Sequence, residues 1–128
     1  MTMRLEVIQD GRNTVVLIHG RDGAVAAAML SRFNALASGN ESEVALHEIP
    51  GLSAAEGCQV VATNQPGRAG IRRVAEPATY RWTQDPEGWL QVAELALPVT
   101  RSFESPGTHF QFLEQRGGEV VLSTERSW

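Results

Sequence analysis

Histidine, cysteine and acidic side chains are the groups here whose type and spacing could do chemistry. The histidines are His19, His47 and His109, and the one cysteine is Cys58. None forms a helical i, i+4 pair or a Cys-x-x-Cys arrangement, so the sequence offers no local metal motif and no metal or other cofactor is expected. Glu41, Glu43 and Glu48 flank one predicted strand and read as a solvated edge. His47 and Glu48 are neighbours on that strand and therefore point to opposite faces, which argues against a shared acid–base role.

One stretch has the form of a reaction-site turn. Val15-Val16-Leu17-Ile18 leads into His19-Gly20-Arg21-Asp22-Gly23 and then into a predicted helix. These nine residues resemble the strand and HGxxG turn of α/β-hydrolases, which implies a backbone oxyanion donor at the His19-Gly20 turn. The pattern departs from that family elsewhere. No Gly-x-Ser-x-Gly elbow follows, and Gly51-Leu52-Ser53-Ala54-Ala55 lacks the final glycine. A glycine-rich turn between a strand and a helix accounts for the same residues.

The arginines are more informative. Arg68, Arg72, Arg73 and Arg81 lie on or beside one predicted hairpin, with Tyr80 and Trp82 on its second strand. A turn centred on Glu76-Pro77 sets Arg72 opposite Arg81 and Arg73 opposite Tyr80. Like charges directly opposed on a sheet repel unless an anion sits between them. Guanidinium groups bind carboxylates bidentately, so an acidic partner surface would relieve the pair. Arg73 over Tyr80 would make a cation–π contact. The competing reading pairs both arginines with acids of this chain, such as Glu56, Glu76 or Glu87. Trp128, at the chain end, is a further candidate anchor for a partner or a cover for the sheet. The candidate binding residues are therefore Arg68, Arg72, Arg73, Tyr80, Arg81, Trp82 and Trp128, with no catalytic residue among them.

The elements that must position these groups follow from pattern. Residues 5–9 and 14–18 read as strands around Asp10-Gly11-Arg12-Asn13, a strong hairpin signal. The continuous apolar run 15–18 marks a central strand covered on both faces. Asp22 can cap a helix to about Ala37, with Val25, Met29, Phe33 and Leu36 on its buried face. Further strands are expected at 43–49, 59–63, 71–74, 80–83, 109–114 and 119–124. A second helix starts with Asp85 as cap and Pro86 in its first turn, and Pro98 limits it at about Leu97. The loop 99–108 then reads as the most mobile segment. Both halves show hairpin, helix, hairpin, which predicts an α+β fold: a mainly antiparallel sheet with two helices packed on it and a pseudo-repeat of ββαββ. The chain reads as one domain, residues 1–128, with halves 1–65 and 66–128.

Composition narrows the function classes. With 42% hydrophobic and 20% charged residues over 128 positions, the chain can bury one ordinary core. All 11 basic residues are arginine, which excludes lysine Schiff-base chemistry and P-loop phosphate binding. A net charge of −4 argues against general nucleic-acid binding. A single cysteine, no signal-type N-terminus and no long apolar run predict a cytoplasmic protein without membrane association. The expected function is a non-catalytic protein-binding module with an acidic-surfaced partner, of the bacterial immunity-inhibitor, chaperone or adaptor kind. The alternatives are a small hydrolase-like enzyme using the His19-Gly20 turn and a self-associating structural domain, and a homodimer suits each of these.

Overall fold

The computed structural model describes residues 3–67, 69–75 and 78–126. The first hairpin joins β1 (Met3–Asp10) to β2 (Asn13–Gly20), and α1 (Gly23–Ser38) follows. Next come β3 (Glu43–Ala45), β4 (Leu52–Ala54) and β5 (Gln59–Asn64). The hairpin of β6 (Gly70–Ala75) and β7 (Thr79–Gln84) leads into α2 (Pro86–Arg101), and β8 (Phe110–Glu114) and β9 (Glu119–Ser123) close the chain.

The strands form two sheets, a five-stranded one in the order β4-β1-β2-β9-β8 and a four-stranded one in the order β3-β5-β7-β6. The α+β class is as the pattern predicts, but the pairing is mixed. β1 with β4, β2 with β9 and β5 with β7 run parallel. The cause is topological. After α1, β3 and β5 enter the four-stranded sheet while β4 returns to lie parallel to β1 of the same half; after α2, β8 and β9 join the five-stranded sheet, opposite to their own hairpin. In each sheet a strand of one half's hairpin then meets a strand of the other half side by side. Among the described residues the first half adds β4, a strand without a counterpart in the second half.

Both helices begin as the sequence indicates. Asp22 accepts from the backbone N–H groups of Ala24 and Val25, and Asp85 accepts from that of Gly88. Gly39 ends α1 in the left-handed region at φ 81°, where a side chain would strain the backbone. Pro98 does not end α2. The helix continues to Arg101 because Val99 is buried in the core, and losing one helical hydrogen bond costs less than exposing that turn. The predicted strand 43–49 is likewise shorter. It stops at Ala45 and turns through a 3-10 segment, Leu46–Glu48, that buries Leu46.

The inner faces of both sheets and both helices share one core. At its centre Phe33 of α1 stacks on Trp89 of α2 at 5.9 Å, and Trp82 of β7 meets Trp89 edge-on at 4.8 Å. The β8–β9 turn locks the sheets together where the Ile71 amide donates to the Arg116 carbonyl at 3.0 Å. That approach requires Gly70, because a Cβ there would sit 2.2 Å from the same carbonyl oxygen. Loop 102–107 is tied down rather than loose. The Arg21 guanidinium donates to the carbonyls of Phe103, Ser105 and Gly107. Among the described residues no helix is long and apolar enough to cross a membrane.

Candidate functional site

Antiparallel pairing of β6 with β7 sets Arg72 opposite Arg81 and Arg73 opposite Tyr80, as expected, but the register shifts at an irregularity between Arg73 and Ala75, which pairs with Thr79. A simple turn at 76–77 would have placed Ala75 opposite Ala78. Parallel pairing then places Arg81 beside Val61, which faces Ala45 of β3. Ala45, Val61, Arg81 and Arg72 thus form one row across the outer face of the four-stranded sheet. Arg72 is exposed, and Arg81 is half-buried. Among the described residues neither guanidinium has a hydrogen-bond or ion-pair partner, and the Arg81 Nε is buried with no acceptor. No carboxylate of this set reaches either, so internal pairing with Glu56 or Glu87 does not occur; Glu76 lies outside the described residues. Directly opposed side chains on a sheet start from Cβ atoms about 4.5–5.5 Å apart, so pairing two positive charges there is unfavourable.

The aromatic members of the predicted site point the other way. Tyr80 and Trp82 alternate with Arg81 and therefore face the core, at 3% and 0% exposure. The Tyr80 hydroxyl accepts from Gln9 Nε2 at 3.0 Å, and Trp82 Nε1 donates to Glu114. Neither ring can join a surface with Arg72 and Arg81. Arg73 is exposed near the end of β6, and Arg68 and Trp128 lie outside the described residues.

The hydrolase-like turn is occupied by structural tasks. His19 Nε2 lies 2.5 Å from Glu6 Oε2, and Arg126 Nε donates to the same carboxylate at 3.2 Å. Burial pushes Glu6 up, but the hydrogen bonds from His19 and Arg126 outweigh it and hold its pKa below the ordinary value. Arg21 grips the 102–107 loop and Asp22 caps α1. Ser53 pairs with Arg4, which pairs with His19, so two strand spacings, about 10 Å, separate Ser53 from His19. Ser123 sits beside His19 on β9 but is fully buried. His47 Nδ1 accepts from the Val60 amide at 3.1 Å. Burial pushes the Cys58 thiol up. Among the described residues no three His, Cys, Asp or Glu side chains converge as a metal site.

Sequence reasoning passed over Glu114. It is 6% exposed and lies in a cleft of about 220 Å³ between α2 and β8, lined with Gln84, Gly88, Gln91, Leu95 and Phe112 among others. Oε1 accepts from Trp82 Nε1 at 2.9 Å and from Gln84 Nε2. Oε2 accepts from the amides of Gln115 and Arg116 at 3.1 and 3.2 Å. Four N–H groups saturate the carboxylate, which makes it an anchor between the β8–β9 turn and the core rather than a reactive group. A buried indole N–H needs an acceptor, and that need was the signal available in the sequence.

No protein-family model, curated protein or solved structure matches the chain.

Proposed function

We propose that this protein is a non-catalytic binding module whose four-stranded sheet docks, through Arg72 and Arg81, on an acidic surface of a partner protein. The observation that carries this reading is the opposed arginine pair without a counter-ion among the described residues. A free-standing protein gains nothing from setting two guanidinium groups side by side and desolvating one Nε. A carboxylate placed between them converts that cost into charge-assisted, bidentate hydrogen bonds. The small side chains of Ala45 and Val61 continue the row and leave a partner room to approach.

The single cysteine and the acidic net charge of −4 fit a cytoplasmic protein that binds protein rather than nucleic acid. Within that class the immunity-type inhibitor of a bacterial toxin, or a chaperone or adaptor, is the favoured role. The hydrolase-like alternative lacks support, since His19 is spent on Glu6 and faces no accessible nucleophile among the described residues.

Capture from host lysate with the wild type and with the Arg72→Glu, Arg81→Glu double variant tests the proposal. The expected result is a stoichiometric partner that only the wild type retains, with both proteins melting alike. Hydrogen exchange on that complex should show protection in residues 59–63 and 79–83. A partner held equally by both forms, or protection confined to other elements, refutes this site.

A further inference from the structure

β8 is an edge strand of the five-stranded sheet, and among the described residues no strand pairs with its outer edge. His109 spends both backbone groups on Thr124: its amide donates to Thr124 Oγ1, and its carbonyl accepts from the Thr124 amide. Backbone groups alternate along a strand, so Gln111 also faces β9 while the N–H and C=O of Phe110 and Phe112 point away from it. The chain's own Gln111 side chain reaches back to donate to the Phe112 carbonyl at 3.2 Å. A bulge after Phe112 ends this regular stretch.

The flanks of that edge are apolar. Phe110 is 46% and Leu95 of α2 is 39% exposed, two of the four large apolar side chains most exposed among the described residues. On the outer sheet face Leu17 and Val121 are fully buried, Phe112 packs against them, and Phe110 meets Phe112 edge-on at 6.1 Å. This stripe grows more exposed toward β8 and runs off the edge. The strand Phe110–Glu114 carries no lysine, arginine or proline, the residues that normally protect an open edge. Its one charge, on Glu114, is buried and satisfied.

We infer that β8 is the interface of a two-fold homodimer in which the β8 strands of two copies pair antiparallel about Gln111. That register is self-complementary. Phe110 of each copy opposes Phe112 of the other, and the outward N–H and C=O groups of both residues form four inter-chain hydrogen bonds. The same pairing gathers four phenylalanine rings on one face and extends the apolar stripe across the axis. No like charges meet along the strand. The inference does not depend on the arginine site, which lies on the other sheet.

Sedimentation equilibrium from micromolar to millimolar concentration tests it. The expected mass is twice the 13.9 kDa chain, falling to the monomer on dilution. Phe110→Lys, at an exposed position, should give a monomer that melts as the wild type does when diluted to its monomer, and that lacks the wild type's rise in melting temperature with concentration. The axis also makes the two Gln111 residues a non-hydrogen-bonded pair, with Cα atoms ~4.5 Å apart, within disulfide reach. Oxidised Gln111→Cys should therefore migrate as a covalent dimer, since native Cys58 is buried. A monomer at every concentration overturns the inference. So does a dimer that survives Phe110→Lys and does not crosslink through Gln111→Cys.

Discussion

Glu114→Gln removes one negative charge from the middle of the molecule and almost no volume, yet it should destabilise the fold by about 2–4 kcal/mol. Four N–H groups end on this carboxylate, from Trp82, Gln84, Gln115 and Arg116. The amide of glutamine keeps one acceptor oxygen, enough for two of them, and turns its NH2 toward the other two as donor against donor. Each hydrogen bond to a charged group contributes about 1.5–3 kcal/mol, so losing two costs ~3–6 kcal/mol before relaxation. If the orphaned donors are those of Gln115 and Arg116, the turn can shift toward water, which brings the expected cost down to about 2–4 kcal/mol. At roughly 3 °C per kcal/mol for a chain of this size, the melting temperature should fall by about 6–12 °C. Urea unfolding followed by tryptophan fluorescence is the assay, because Trp82 itself donates to the carboxylate. Trp82→Phe removes one donor, and its cost should be less than additive with Glu114→Gln. A Glu114→Gln midpoint equivalent to less than about 0.5 kcal/mol, with full additivity, would refute the anchoring role.

Two other perturbations have defined signs. Burial opposes ionisation of Glu6, but His19 and Arg126 hold its folded pKa below the ordinary value of 4.5, so its contribution is complete above the unfolded pKa and disappears as pH falls through the folded one. Urea midpoints of wild type and Glu6→Gln should accordingly differ most near neutrality and converge as pH falls past 4.5 and through the lowered folded pKa; a difference that stays constant with pH contradicts this assignment. Gly88→Ala should destabilise by about 1–3 kcal/mol, although alanine favours a helix interior by up to ~1 kcal/mol. Its Cβ would sit 2.2 Å from Gln84 Oε1, and that amide is locked against Glu114. Equal or higher stability in urea would show that Gln84 is free to move aside.

Much of the local structure was legible from short-range chemistry. Asp22 and Asp85 cap their helices, the stripe Val25-Met29-Phe33-Leu36 is buried, and Arg72 faces Arg81 across β6–β7, although a register shift between Arg73 and Ala75 that the sequence did not show lies beside that pair. Each depends on residues within a few positions of one another. Segment ends were harder, because distant packing decides them: Val99 carries α2 past Pro98, and Leu46 ends β3 early by turning into the core. The face of β7 was also ambiguous. Alternation groups Tyr80 with Trp82 and separates them from Arg81, but it does not say which set meets the helices.

Sequence alone therefore determined the α+β class, the two capped helices and the opposed arginines, since backbone capping, turn geometry and strand alternation act locally. Only the tertiary structure decided that strands of the two halves lie parallel within each sheet. It also decided that the Tyr80–Trp82 face is core, that Glu114 receives four donors, and that β8 is an edge strand of its sheet. These depend on which distant segments share the buried volume, and the apolar pattern of a strand is the same whichever neighbour it meets.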